Sequence, residues 1–199
     1  MQQFTHKRTL IYVTNSHQFR WEKVMYQNLQ QIKKAKSGDA EAFADLYRSI
    51  YADLYRFALY TLKNPTDAED AVSETVMDAF TSIHKLRSEA SFKTWIFQIL
   101  SIKCKRRFLE YKNFVNELTT DIPDKEISHD LAADIDLRNC FFRLKDDERL
   151  IISMHIFAGY TSREIAKVLH MNANTVRSKE SRALKKLSEQ LSDSNEKER

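Results

Sequence analysis

Glycine and proline are almost missing from this chain, with two of each in 199 residues. Sheet proteins need turn residues about every ten positions, and phosphate-cradling loops need several closely spaced glycines. Sheet folds, dinucleotide-binding domains and phosphate-loop chemistry are thereby excluded, and the chain is expected to be all-α. Cysteine is equally scarce. Cys104 and Cys140 are the only two, too few and too far apart for a zinc site or a disulfide framework, which points to a reducing, cytoplasmic compartment. No apolar run approaches the roughly 20 residues needed to cross a bilayer. Near the N-terminus only Leu10 to Val13 is continuously apolar, too short for a signal peptide, so neither export nor membrane insertion is expected.

Charge, by contrast, is plentiful. Charged residues make up 30% of the chain, and the net charge is +4. A balance this mildly basic points to a polyanionic partner only where the cations are segregated. The pattern divides the chain into an N-terminal extension (1–25), a first helical domain (26–115), an acidic linker (116–136), a second helical domain (137–191) and a tail (192–199). Residues 1–25 hold one strand-like run, TLIYVTN, without a partner strand, and are expected to be poorly ordered, as is the tail. The linker contains Pro123 and more acids than bases; its charge is read as solubilising a flexible segment.

In the first domain, Leu29, Ile32 and Ala35 begin a short helix that Gly38 ends, and Asp39 caps the next. That helix is expected to run from Ala40 to Leu62 with Phe43, Leu46, Tyr47, Ile50, Leu54, Phe57, Ala58 and Leu62 on its core face, and Tyr47, Tyr51 and Tyr55 as a packing ladder. Asn64-Pro65 breaks it, and Thr66-x-x-Glu69 has the form of a capping box for a third helix. Val72, Val76, Ala79, Phe80 and Ile83 make the apolar face of this helix. Asp67, Asp70, Glu74 and Asp78, at i, i+3, i+7 and i+11, run down another as an acidic stripe, which is either a solvated face or a docking surface.

The stretch SFKTWIFQILSIKCKRRFLEYK follows. Phe92, Trp95, Ile96, Ile99 and Leu100 recur with the helical period, and the same face carried forward reaches Lys103, Arg106 and Arg107. A helix that starts in a core and ends basic either presents a solvated end or offers cations and rings to nucleic acid, since aromatics stack on unpaired bases and cations hold phosphates.

In the second domain, Asp146-Asp147-Glu148 opens a helix carrying Leu150, Ile151, Met154 and Phe157. Thr161-x-x-Glu164 is another capping box, and Asn172 caps a final helix through Val176, Ala183, Leu184, Leu187 and Leu191. Ala166 and Val176, with Ile165, Leu169 and Met171 between them, have the core spacing of a helix-turn-helix. Arg177, Ser178, Lys179, Ser181, Arg182, Lys185 and Lys186 lie on its outward face, where arginine can grip guanine and lysine phosphate. His155 and His170 read as packing or surface residues. No nucleophile and base stand at motif spacing, and the lone Glu126-x-x-His129 pair falls in a loop-like stretch, so neither catalytic residues nor a metal or other cofactor are expected.

GDAEAFADLYRSIY, NPTDAEDAVSETVMDAF and SFKTWIFQIL with its basic continuation together resemble the N-terminal domain of bacterial RNA polymerase sigma factors of the extracytoplasmic-function (ECF) group. GYTSREIAKVLHMNANTVRSKESRALKKL resembles their C-terminal domain, and the likeness runs from Tyr26 to Leu191. It implies two helical domains that bind core RNA polymerase and direct promoter-specific initiation. It assigns Asp67, Glu69, Asp70, Glu74 and Asp78 to the clamp helices of the β′ subunit. Phe92, Lys93, Thr94 and Trp95, bordering a pocket for an extruded base, and Lys103, Lys105, Arg106 and Arg107 go to the −10 element. The C-terminal domain would meet the β subunit, with Arg177, Ser178, Lys179, Ser181, Arg182, Lys185 and Lys186 on the −35 element. An anti-sigma protein is implied as a regulatory partner. Ile102, His170 and Asn174 depart from the pattern, which has Asn, Gly and Gly there.

Two other readings compete with this one. A stand-alone helix-turn-helix regulator would bind duplex DNA without polymerase and tolerate charge changes on the acidic stripe. A metal-dependent helical hydrolase would carry stoichiometric metal.

Overall fold

The computed structural model describes residues 28–117 and 138–197, the side chains of 112–117 and 191–197 excepted. The extension 1–25, most of the linker and the Glu126/His129 pair lie outside the described residues. The order is α1 (28–36), α2 (Ala40–Leu62), α3 (Pro65–Ser82), two single 3-10 turns, α4 (Phe92–Glu117), α5 (138–142), α6 (Asp146–Ile156), α7 (Ser162–Leu169) and α8 (Ala173–Lys197). No strand occurs among the described residues, in line with the all-α expectation. Helix α8 continues past residue 191, the expected end of the second domain, into the stretch expected to be a poorly ordered tail.

Local signals set most helix ends. Asp39 accepts from the Ala42 amide at 3.0 Å and starts α2. Gly38, at φ 99°, supplies the left-handed turn before it. Helix α3 begins differently from expectation. Asn64, not Thr66, is its cap, accepting from the amides of Thr66 at 2.9 Å and Asp67 at 3.3 Å. Pro65 then occupies the first helical position, where its missing N–H and fixed φ are no handicap. The Thr161/Glu164 box at the head of α7 does form, each side chain bonding the other residue's amide. His170 ends α7 in the left-handed region (φ 54°, ψ 48°), and the Asn172 side chain accepts from the Asn174 amide at 2.8 Å to start α8.

Helices α2, α3 and α4 form one bundle, and α6, α7 and α8 another. On α2, Phe43, Leu46, Ile50, Leu54, Phe57, Ala58 and Leu62 are buried as expected, and Tyr47 is half-buried. The tyrosine ladder packs ring to ring, with centroids at 5.6 and 6.0 Å. On α4 the buried seam is Phe92, Ile96, Phe97, Leu100 and Cys104, while Trp95 and Ile99 are half-buried. It thus runs one position round from the expected stripe. Phe80, expected in the core, is exposed and meets Phe43 edge-on at 5.1 Å.

The two bundles are packed together. Helices α2 and α4 both meet α6, and α4 also meets α7. Phe57 and Tyr60 of α2 contact Phe157 at centroid distances of 6.5 and 5.4 Å, and Tyr60 contacts Phe141 at 5.1 Å. These rings are buried, and each contributes about 1.5–3 kcal/mol of apolar burial. One hydrophobic core is therefore continuous across both bundles.

Candidate nucleic-acid interface

Helices α3 and α4 lie side by side with the acidic stripe facing the cations. Lys103 is 2.6 Å from Asp78 and 3.5 Å from Glu74. Arg106 donates to Glu74. Arg107 donates to Glu74 at 3.1 Å and stands 3.6 Å from Asp70. Tyr111 donates its phenol to Asp67. The acids thus brace the basic helix, a role the sequence leaves open because spacing along one helix does not say which neighbour it faces. Of the five acids, Glu69, Asp70 and Asp78 are exposed, and Asp67 and Glu74 are half-buried.

The electrostatics follow from these contacts. Burial pushes the Glu74 carboxyl upward, but the hydrogen bond from Arg106 and the charges of Arg106, Lys103 and Arg107 outweigh it and hold it below the usual carboxylate range. Burial, with the hydrogen bond to Asp67, pushes the Tyr111 phenol up to about 12.

Among the residues expected to border a base pocket, Phe92 is sealed in the core, while Trp95 stands at the surface. Trp95 lines a cleft of about 410 Å³ with Ile99, Ile102, Lys103, Arg106 and Asp78. Ring, aliphatic and cationic groups here converge on one open hollow, the combination that accepts an unstacked base with its phosphate. Ile102, half exposed, supplies an apolar wall. Lys93, Thr94 and Lys105 lie instead on the side of α4 that meets the second bundle. Lys105 donates to the Leu169 carbonyl at 2.9 Å, and the Thr94 carbonyl accepts from the Tyr160 hydroxyl.

In the second bundle Ile165, Ala166, Leu169, Val176, Ala183 and Leu187 are buried, so α7 and α8 cross as the Ala166/Val176 spacing requires. The face expected to meet DNA divides in two. Arg177, Ser181, Arg182 and Lys185 are exposed, as is Ser178. Lys179 pairs with Asp147, and Lys186 holds the Glu148 carboxylate at 2.8 Å. These two lysines tie α8 to the first turn of α6. Burial raises both carboxyls, but the lysine hydrogen bonds and charges more than offset it and keep them below their ordinary range. His155 does pack, its Nδ1 lying 3.2 Å from the Tyr160 carbonyl oxygen and 3.3 Å from Glu180.

Sequence reasoning missed Arg149 and Glu180. Arg149, 2% exposed, donates to the carbonyls of Thr61 and Leu144, each at 2.7 Å, and to Asp146 at 2.6 Å. Glu180 accepts from the Ser162 hydroxyl at 2.8 Å. Neither sits in a local motif, since the partners that tie them to other helices, the Thr61 carbonyl and the Ser162 hydroxyl, are distant in sequence. Among the described residues no cluster of three metal-ligating side chains occurs, and no helix is long and apolar enough to cross a membrane.

Comparison with known proteins gives the family of the chain. Sigma-70 region 2 matches residues 46–113, and Sigma-70 region 4 matches residues 135–187. The sigma factor NccH of Alcaligenes xylosoxydans xylosoxydans is 30% identical over 81% of this chain and 93% of its own length. The ECF sigma factor SigX of Bacillus subtilis (strain 168) is 26% identical over 74% of this chain and 82% of its own. Among solved structures, RpoE in complex with the anti-sigma factor NepR from Bartonella quintana shares the fold. Its TM-score is 0.61 at 22% identity, covering 74% of this chain and 97% of that one. CnrH in complex with the cytosolic domain of CnrY gives 0.57 at 23% identity over 83% and 97%. The chain therefore belongs to the ECF group of RNA polymerase sigma factors, the DNA-recognition subunits that direct transcription initiation.

Proposed function

We propose that the chain reads a promoter through two faces, the α3/α4 cleft taking the melted −10 strand and the exposed side of α8 taking the −35 duplex. The observation that carries this is the cleft, where Trp95 and Ile102 stand beside Lys103 and Arg106. An unpaired base can stack on the ring while its phosphate reaches a cation. On α8, Arg177, Ser178, Ser181, Arg182 and Lys185 enter the major groove, with arginine able to read guanine, and Lys179 and Lys186 brace the helix from behind. The outer edge of α3, with Glu69, Asp70 and Asp78 exposed, docks on the clamp helices of the polymerase β′ subunit. Asp67 and Glu74 support that edge through α4, and the second bundle meets the β subunit. The chain supplies no catalytic residue, needs no cofactor and works in the bacterial cytoplasm, where an anti-sigma protein restrains it.

Reconstitution with core RNA polymerase on a random promoter library tests this reading. Enriched templates should share two sequence blocks at fixed spacing, and an Arg177→Ala, Arg182→Ala chain should lose the upstream block only. Tight duplex binding by the chain alone, unchanged by polymerase, would replace this reading with a stand-alone regulator.

A further inference from the structure

In the α3/α4 cleft of about 410 Å³ the polar groups are sorted by kind. The cations come from α4 and already face acids. Lys103 lies 2.6 Å from Asp78 and 3.5 Å from Glu74, while Arg106 donates to Glu74 and stands 3.3 Å from Glu110. The end of α3 brings Asp78, Thr81 and Ser82 to the opposite wall. Thr81 spends its hydroxyl hydrogen on its own helix, its Oγ1 lying 3.1 Å from both the Met77 and the Asp78 carbonyl oxygens. Ser82 likewise donates to the Asp78 carbonyl. A hydroxyl has one hydrogen and two lone pairs, so both oxygens are left to act as acceptors, and the Asp78 carboxylate adds negative charge beside them.

The apolar part of the cleft does not choose among bases. Trp95 offers a ring on which any base stacks, and Ile99 and Ile102 close the hollow with aliphatic surface. Choice falls to the polar edge of the base, and a wall of acceptors asks that edge for N–H. Cytosine, adenine and guanine each carry an exocyclic amine. Thymine carries none, and its single N–H lies between two carbonyl oxygens. A carbonyl turned to this wall would meet only lone pairs, and the bond so forfeited costs more than a thymine methyl gains against Ile102.

Resting on the strand-reading function proposed above, we infer that the α3/α4 cleft selects an unpaired base that carries an exocyclic amine and rejects thymine. Thr81 and Ser82 are the specificity-determining residues, accepting from the amine while the base lies on Trp95. Asp78 strengthens their wall by its charge and holds Lys103 on the α4 side, so that Lys103 and Arg106 serve the phosphate and read no base.

The test titrates the full chain against short fluorescent oligomers of abasic deoxyribose phosphate that carry one central base. Matched pairs differ only in the amine: cytosine against uracil, adenine against hypoxanthine. Each amine-bearing base should bind about ten-fold more tightly than its keto partner, and the wholly abasic oligomer more weakly than either. Thr81→Val with Ser82→Ala keeps the shape and removes both acceptors, and should bring the two members of each pair within about two-fold. Asp78→Asn, which removes the charge alone, should lower the ratio by about three-fold. Because the ratio is taken within one chain, a general loss of affinity cancels. Equal affinity for both members of a pair, or a ratio that neither variant changes, would overturn amine selection while leaving strand recognition standing. Oligomers that gain nothing from any base over the abasic backbone would instead remove the strand-reading function of the cleft and this inference with it.

Discussion

Lys103 and Asp78 face each other across α4 and α3 at 2.6 Å, so a residue assigned to DNA and one assigned to polymerase are partners within the same bundle. The lysine is the more buried of the two, its side chain 15% exposed against 54% for the aspartate. The outer edge of Asp78 stays open to a second protein while its inner oxygen orients the lysine. Asp78→Lys should cost roughly 1 kcal/mol of stability, measured by urea unfolding, and a further Lys103→Glu should recover part of that loss. Recovered stability with polymerase affinity still lost would give Asp78 both roles. Strictly additive losses in stability would mean that the two side chains do not interact.

The same brace makes stability depend on acidity. Glu74 titrates below its ordinary value of 4.5 in the folded chain, so between the two values the unfolded chain holds more protons. Its contribution is complete above pH 4.5, the ordinary value, and is lost as pH falls through the lowered folded value. Thermal midpoints taken from neutral pH down into this window should fall less steeply for Glu74→Gln than for the parent chain. Parallel curves would show that Glu74 gains nothing from Arg106, Lys103 and Arg107.

The two classes of cation on α8 should separate in their effects. Arg182, exposed, should when changed to Ala weaken −35 duplex binding by about 1–3 kcal/mol if it reads a base, with little change in the thermal midpoint. Lys186→Met leaves the Glu148 carboxylate, whose side chain is 5% exposed, without its ammonium, and should destabilise the chain by roughly 2 kcal/mol. Calorimetry and a duplex titration on the same two variants check this. A Lys186 variant of normal stability with weakened DNA binding would return that lysine to the reading face.

These distinctions show where sequence was informative. Helix α2 was legible to both ends because Gly38, Asp39 and Asn64-Pro65 act on their own neighbours, and the helix-turn-helix was legible because Ala166 and Val176 report a crossing between helices close in sequence. The α3 acids were visible as a stripe, but their partners Lys103, Arg106, Arg107 and Tyr111 lie further along the chain, in a helix whose rotation only packing decides. Arg149 is harder still. Its acceptor at Thr61 is a backbone carbonyl, 88 residues distant, and carbonyls carry no side-chain signature. The packing of the two bundles rests on contacts of this kind, and periodicity within one helix gives no sign of it.

His170 holds a left-handed conformation at the turn between α7 and α8, where a side chain costs about 1 kcal/mol relative to glycine. The strain sits at the corner between α7 and α8. His170→Gly is expected to raise stability by about 0.5–1 kcal/mol, read as a higher thermal midpoint with unchanged helicity. A lower midpoint would mean that the imidazole makes contacts worth more than the backbone strain it causes.

The start of α3 offers a sharper contrast, because two neighbouring residues compete for one role. Asn64 accepts both amides of the first turn, and Thr66 lies inside the helix with its side chain exposed to solvent. Asn64→Ala should therefore cost about 1 kcal/mol, while Thr66→Ala should change stability by no more than a few tenths. Since α3 carries the acids that hold α4, the Asn64 variant should also loosen Arg106 and Arg107, and weaken oligonucleotide binding in proportion to the helix it frays. The reverse ranking in chemical denaturation would mean that the Thr66/Glu69 box forms in solution and that α3 begins after the proline, with its cap moved from Asn64 to Thr66.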